Sequence, residues 1–208
     1  MGMINEHPYC WTFTGKKFFP ADVKPEQIDI IDLANGLGRE PRFGNQADED
    51  YTVAQHSVLI AQYIARLMKN APVKERRKAM LESMLHDGHE YISGDMPKPI
   101  KEVLRDLSAW EKTCNRAIFA KFGLNLDNID PIVKHVDGRI VIDEALQLFK
   151  FTPPWALDYA HNRLGIDIKP WPKDMASIVW LRSMHRLLGD EITQEQAIQR
   201  LRLVGRYK

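Results

Sequence analysis

Two carboxylates on the apolar stripe of a single segment constrain this chain more than any other feature. Val133, Val136, Ile140, Val141, Ala145 and Leu148 recur at the spacing of a core-facing helix, and Asp137 and Glu144 fall on the same stripe two turns apart. An uncompensated buried carboxylate costs several kcal/mol, so each needs a metal, a cation or a proton beside it. A second segment has the same character: His56 shares a face with Leu59, Ile60, Tyr63, Ile64 and Leu67. A fold built from such helices must carry polar chemistry into its interior.

The partners for that chemistry are the adjacent pair His86-Asp87. They stand at the C-terminal end of a helix expected over about 74–87, which presents Met80, Leu81, Met84 and Leu85. With His56 and Asp137 they spell H…HD…D, imidazoles and carboxylates of the kind that holds a divalent metal. The dipeptide alone says little, since chance supplies roughly half of one such pair in a chain of this composition. The plain alternative makes His56 a hydrogen-bonded core histidine and Asp137 the partner of Lys134 or Arg139. All four residues together, each on or at the end of a helical segment, favour the metal.

Composition bounds the function class. A chain of 208 residues with 44% hydrophobic and 27% charged residues can bury one sizeable core. A net charge of +1 argues against a bulk nucleic-acid binder or an anionic-membrane protein, so any phosphate recognition must be local. Cys10 and Cys114 are far apart in sequence, which suits a reducing compartment and gives no Cys-rich zinc site. His7, Pro8, Lys16 and Lys17 interrupt the N-terminus, so no signal peptide is expected, and no apolar run reaches the length of a membrane span.

The pattern predicts one all-α domain over 1–208, a bundle of about six to eight helices without strands. Residues 1–24 are irregular, with Tyr9, Trp11, Phe13, Phe18 and Phe19 as aromatic anchors. Pro25 can open a helix whose face is Ile30, Leu33, Ala34 and Leu37 and which Gly36 and Gly38 end. A polar loop over 39–51 leads to the His56 helix. After a broken stretch with Gly88, Gly94, Pro97 and Pro99, a long helix is lined by Val103, Leu104, Leu107, Trp110, Cys114, Ile118 and Phe122 and capped by Gly123. Residues 151–172 read as an ordered surface loop. Two more helices, about 174–189 and 194–205, pack on the motif core, the second opened by a Thr193/Gln196 capping box.

Four stretches carry a family resemblance. They are "HDGHEYISGDMPKPIK" at 86–101, "YTVAQHS" at 51–57, "KHVDGRIVIDE" at 134–144, and Arg42-Phe43 placed 14 residues before His56. The chain resembles the HD-domain phosphohydrolase superfamily over about 28–149, and more narrowly the bacterial 5′-deoxynucleotidases and their phage relatives, some of which hydrolyse dATP. The resemblance implies a single divalent transition metal (Mn, Co, Zn, Fe or Ni) on His56, His86, Asp87 and Asp137. It implies a small nucleotide as substrate and a homodimer or higher assembly; with the charge and cysteine readings above, the expectation is a cytoplasmic protein that binds neither a nucleic-acid polymer nor a membrane.

The chemistry agrees with that expectation, because phosphate ester hydrolysis needs charge neutralisation, a nucleophilic water and positioning. Glu90, four residues after His86, stands where the resembling enzymes activate the attacking water, so the resemblance implies the general-base role for it, with Asp87 as the other catalytic group; its plain reading is an exposed helix-end glutamate. Arg42 would orient the phosphate, its planar guanidinium suiting bidentate contact, the alternative being a surface arginine. Phe43 stands where the characterised bacterial enzymes have tryptophan, and its ring would pack against the ribose C2′ edge. Asp95 would accept from a sugar 3′-hydroxyl and Lys98 would meet a phosphate. His89 is expected to face solvent or to lie just outside the ligand set, and Lys101 and Lys134 to be solvated, the alternative being contact with a longer phosphate chain. His7, His161 and His185 carry no functional expectation. Three readings compete: the phosphohydrolase of deoxynucleoside monophosphates or triphosphates, a di-iron oxygenase that would draw on His89, Glu90 or His135, and a non-catalytic nucleotide-binding module.

Overall fold

A computed structural model describes residues 8–203. The architecture is all-α, as the periodicity predicts. Seven helices of ten residues or more are present among the described residues: α1 (Ile30–Arg39), α2 (Val53–Leu67), α3 (Val73–Leu85), α6 (Arg105–Lys121), α7 (Pro131–Leu148), α9 (Lys173–Leu188) and α10 (Gln194–Leu203). Three short ones, α4 (Glu90–Ser93), α5 (Lys98–Val103) and α8 (Pro154–Asp158), sit in the connections. Residues 204 and 205 of the expected last helix, and His7, lie outside the described residues.

Helix α2 is the axis of the fold, apolar on two sides. Ala54, Val58 and Ala61 join Leu33, Leu37, Met84, Trp180 and Leu181 in the main core. Ile60 and Ile64 join Ala79, Val133, Val136 and Ile140 in a second core against α7. His56 is in line with Ile60 and Ile64 at four-residue spacing, so it faces α7 from within the protein. Leu67, expected on this face, is instead 51% exposed near the end of the helix. Caps follow the residues that favour them. Asp29, Thr52 and Asp130 accept first-turn amides of α1, α2 and α7, and Pro131 opens α7.

Further sequence expectations are corrected in the N-terminal segment and α1. The N-terminal segment holds a small antiparallel hairpin, β1 (Cys10–Trp11) with β2 (Lys17–Phe18), too short to show alternation. Of its aromatics Phe18 is fully buried, whereas Tyr9 and Trp11 are exposed. Pro25 opens only a 3₁₀ turn, Pro25–Gln27, and α1 begins after it. Gly36 and Gly38 lie inside α1 rather than ending it, because neighbours come too close for a side chain. A Cβ at Gly36 would stand 2.5 Å from the Tyr91 carbonyl, and one at Gly38 2.0 Å from Ser177 Oγ.

The long third helix is broken at Leu104, whose φ/ψ of −97°/69° separates α5 from α6. Val103 and Leu104 are exposed at the break instead of lining a core. Lys101 of α5 and Glu111 of α6 are 3.2 Å apart. On one straight helix they would be about 15 Å apart. The break brings them together.

The 151–172 segment is tied down as an ordered surface loop. Asp143 accepts the amides of Leu164, Gly165 and Ile166, and Gln55 bridges Lys169 and Trp171. The Thr193/Gln196 capping box forms with both reciprocal bonds. Among the described residues no helix is long and apolar enough to cross a membrane.

Candidate metal centre

Three elements deliver the four predicted ligands to one place. His56 comes from the first turns of α2. His86 follows α3 with its backbone still helical, φ −60° and ψ −36°. The turn after it is pinned by Asn115 of α6, whose side chain donates to the His86 carbonyl at 2.7 Å and accepts the His89 amide at 3.0 Å. Asp137 projects from α7. One donor atom from each of His56, His86, Asp87 and Asp137 lies within 4.8 Å of the others, a group that could hold a metal ion.

Both rings have their tautomers set from behind. His86 Nδ1 donates to the Ser83 carbonyl at 2.8 Å, leaving Nε2 buried without a hydrogen-bond partner. His56 Nδ1 lies 2.5 Å from Glu144 Oε1, and its Nε2 faces Asp137 Oδ1 at 3.2 Å. His86 Nε2 stands 3.2 Å from Asp87 Oδ2 and 3.5 Å from Asp137 Oδ1. Ligand atoms on one ion stand at most about 4.2 Å apart, twice a bond of about 2.1 Å. The nitrogen–oxygen separations within the cluster, 3.2–3.8 Å, fall inside that limit. Two imidazole nitrogens and two carboxylates, converging with their lone pairs inward, fit a divalent transition metal.

The stripe on α7 splits in two. Glu144 is fully buried, whereas the Asp137 side chain is 38% exposed, at the edge of the centre. Glu144 is held by three donors: His56, the Tyr51 hydroxyl at 2.9 Å and Arg42 at 3.3 Å. His56 is indeed a buried, hydrogen-bonded histidine, but Asp137 does not pair with Arg139, which bonds the Asn162 carbonyl, and instead faces the two histidines.

Charge compensation is mutual. Burial opposes the imidazolium form of both histidines, but Glu144 and Asp137 outweigh it at His56, and Asp87 and Asp137 outweigh it at His86, so both rings are made more basic. Burial likewise works against ionised Asp87 and Asp137, yet His86 holds Asp87, and His56 followed by His86 holds Asp137, below the usual carboxylate range. A metal bound there would take the place of the protons that these rings otherwise hold.

Beside it opens a cavity of about 640 Å³, lined by Arg42, Phe43, Asp87, Glu90, Asp95 and Asp137. Arg42 is no surface arginine: it is nearly buried and reaches both Asp87 Oδ2 and Glu144 Oε2 at 3.3 Å, and its Nε is buried without a partner. Phe43 has a left-handed backbone, φ 59°, a conformation that costs most residues of order 1–3 kcal/mol. Asp95 accepts its amide at 2.6 Å and Phe149 packs edge-on to its ring at 5.1 Å, which holds the turn. Lys98 sits exposed at the rim.

Glu90 is buried, not an exposed helix-end residue. Its Oε1 accepts from Lys101, its Oε2 has no partner, and burial with Asp87 and Asp95 nearby raises its pKa well above the usual value. Lys101, expected to be solvated, is drawn between Glu90 and Glu111, both at 3.2 Å. Lys134 is exposed as expected.

His89 is buried rather than solvent-facing, its Nε2 3.2 Å from Glu111, and it is not among the ligands. His135 lies against Arg139, and His185 is held between Asp190 and Arg200 in a structural role.

Sequence reasoning did not find Tyr51, Lys101, Glu111, Phe149 or Trp155 at this site. Trp155 and Phe149 line the same cavity from beyond the Asp137 helix. The only local signal was the Pro- and Trp-rich composition of their segment. A second cavity of about 520 Å³ lies on the other side of Asp137, lined by His86, His89, Glu111, Lys112 and Lys134.

No family model matches the chain. Over 113 residues it is 31% identical to the Escherichia coli protein named "Uncharacterized protein YfdR", covering 54% of this chain and 57% of that one. Over 137 residues it is 33% identical to the Rhodobacter capsulatus protein named "Uncharacterized protein RCAP_rcc00048", covering 64% of this chain and 68% of that one.

Proposed function

The chain belongs to the family of the Rhodobacter capsulatus protein RCAP_rcc00048, and we propose from its site that it is a metal-dependent phosphohydrolase of (deoxy)nucleotides, releasing phosphate from deoxynucleoside monophosphates. The observation that carries this reading is the convergence of the four ligand atoms beside the cavity that also holds Arg42 and Glu90. His56, His86, Asp87 and Asp137 would hold one divalent transition metal, with Mn, Co, Zn, Fe and Ni all suited to two nitrogens and two carboxylates. Bound there, the ion supplies Lewis acidity and neutralises charge on phosphoryl oxygens.

The chain's own groups do the rest. Arg42 stands between Asp87 and Glu144 with a donor to spare, and a planar guanidinium fixed in this way can orient a phosphate. Glu90 presents an unpartnered oxygen in a buried setting that raises its proton affinity, which suits a group taking a proton from the attacking water. Phe43, backed by Phe149, offers an apolar surface to the sugar, while Asp95 and Lys98 flank it. Packing alone rejects an added hydroxyl by about 1–3 kcal/mol, so deoxynucleotides are preferred without strict exclusion of ribonucleotides.

One observation favours a second reading. Asp137 borders both cavities, and the second one carries Lys112 and Lys134. A longer phosphate chain could extend across it, so deoxynucleoside triphosphates of the dATP type are the alternative substrate. The di-iron reading has less support, since His89, Glu90 and His135 face Glu111, Lys101 and Arg139 in turn. The complete ligand set also disfavours a non-catalytic nucleotide-binding module. A homodimer is part of the proposal by family resemblance. A cytoplasmic setting is too, and it agrees with two free cysteines.

The test is a panel of ribo- and deoxynucleoside mono- and triphosphates with several metals, reading phosphate against pyrophosphate and triphosphate. Faster phosphate release from deoxynucleoside monophosphates supports the reading. Triphosphate release alone moves the assignment to the alternative.

A further inference from the structure

We propose that Lys101 is a positioning residue for the hydrolytic step: anchored by Glu111, its ammonium holds one oxygen of Glu90 and leaves the other free to take the proton of the attacking water. The inference rests on the phosphohydrolase reading and deepens it.

Lys101 Nζ is 3.2 Å from Glu90 Oε1 and 3.2 Å from Glu111 Oε1. Glu111 is in turn braced by His89 Nε2 at 3.2 Å. These residues come from the 86–89 turn, α4, α5 and α6, so the contact exists only because the chain breaks at Leu104. A lysine head on a flexible four-carbon stem has much rotamer entropy to lose, and a single exposed partner does not fix it. Two carboxylates on opposite sides do. Glu90 Oε2 is buried without a hydrogen bond beside the metal centre. Such an orphaned acceptor is costly unless a ligand or water supplies the donor. The charged groups acting on Glu90 are Asp87 and Asp95, which disfavour its anion, and Arg42 and Lys101, which favour it. Arg42 is already committed to Asp87 and Glu144. Lys101 is the cation that bonds Glu90 itself.

In the step this serves, a water O–H bond breaks and its proton goes to Glu90 Oε2. The water oxygen bonds to phosphorus as the P–O bond to the sugar breaks. Glu90 then returns the proton to the departing sugar oxygen, so the nucleoside leaves as the alcohol and the carboxylate is regenerated. A clamp on Oε1 keeps the other oxygen aimed throughout.

The plain rival makes Lys101 a direct phosphate contact, and the two separate kinetically. In the metal-loaded protein, Lys101→Met should lower kcat by about 10²-fold, the scale of an ångström's misplacement, with KM changed little. Lys101→Arg should recover most of that loss. In a Glu90→Gln background the same Lys101→Met change should lower kcat no further, and calorimetric dAMP affinity should stay the same. A raised KM or weakened dAMP binding with kcat intact would make Lys101 a phosphate ligand and overturn the inference. So would wild-type kcat in Lys101→Met, or an equal loss in both backgrounds. Full activity in Glu90→Gln would take the base role from Glu90 and overturn the inference while leaving the phosphohydrolase reading intact, whereas no nucleotide turnover by the wild-type protein would defeat that reading, and the inference with it.

Discussion

Glu144 Oε1 lies 2.5 Å from His56 Nδ1, deep between α7 and α2, and this contact turns the histidine's other nitrogen toward Asp87 and Asp137. A carboxylate behind a ligating imidazole fixes its tautomer and raises its basicity, and losing such a partner typically lowers metal affinity about 10–100-fold. Glu144→Gln should therefore weaken binding of a divalent metal by that factor while leaving the four ligands in place. Metal titration with a competing chelator measures it, and an unchanged affinity would remove Glu144 from the site.

Arg42 joins the metal side of the site to the phosphate side, touching Asp87 and Glu144 at once. Its loss should reduce kcat/KM by about 10²–10³-fold on every nucleotide alike, the usual worth of one preorganised donor. Arg42→Lys should not restore activity, because a point charge cannot span two carboxylates as a planar fork does. A loss confined to one base or one sugar would contradict the phosphate role.

The sugar end should behave differently. Phe43 sits against Phe149 with its backbone turned left-handed, and Trp155 lines the same cavity. Phe43→Ala should change the ratio of deoxy- to ribonucleotide turnover by about 10-fold or more, corresponding to 1–3 kcal/mol of packing discrimination. Trp155→Ala should raise KM for both sugars equally. Steady-state kinetics on dAMP and AMP separate the two, and an unchanged dAMP/AMP ratio in Phe43→Ala would exclude the ring as the sugar sensor.

One stability effect lies far from the site. Asp32 is buried and accepts the Thr14 amide and hydroxyl at 2.7 and 2.8 Å, yet burial raises its pKa above the usual value. The folded protein then holds that proton more tightly than the unfolded chain does. Its contribution to stability is full below the unfolded value and declines as pH rises from there through the raised folded one. Asp32→Asn should flatten this decline, so thermal melts of variant and parent should shift in favour of the variant as pH rises across that window. A constant difference would contradict the assigned shift.

The ligand set was legible because helical periodicity is a local property, and His56, Asp87 and Asp137 break apolar patterns that are otherwise regular. Glu144 was legible as a costly carboxylate, but its use was not, since Tyr51, His56 and Arg42 reach it from other parts of the chain. Gly36 and Gly38 looked like helix stops because nothing nearby in sequence announces the approach of Tyr91 and Ser177. Lys101 looked like a solvated charge, and Glu111 drew no reading at all. Only the break at Leu104 folds them onto Glu90. The misplaced apolar residues, Leu67 and Val103, sit at helix ends, where a periodic stripe runs past the core it serves.

The central claim is that one metal ion on His56, His86, Asp87 and Asp137 makes this chain a nucleotide phosphohydrolase. Adding Mn, Co or Zn stepwise to chelator-stripped protein, while following phosphate release from dAMP, tests it most directly. Activity should be absent in the stripped protein, rise linearly and level off at one equivalent per chain, and stay absent in Asp137→Ala at any metal concentration. Full activity without metal, or in Asp137→Ala, would contradict the account, and a plateau at two equivalents would favour the dinuclear reading.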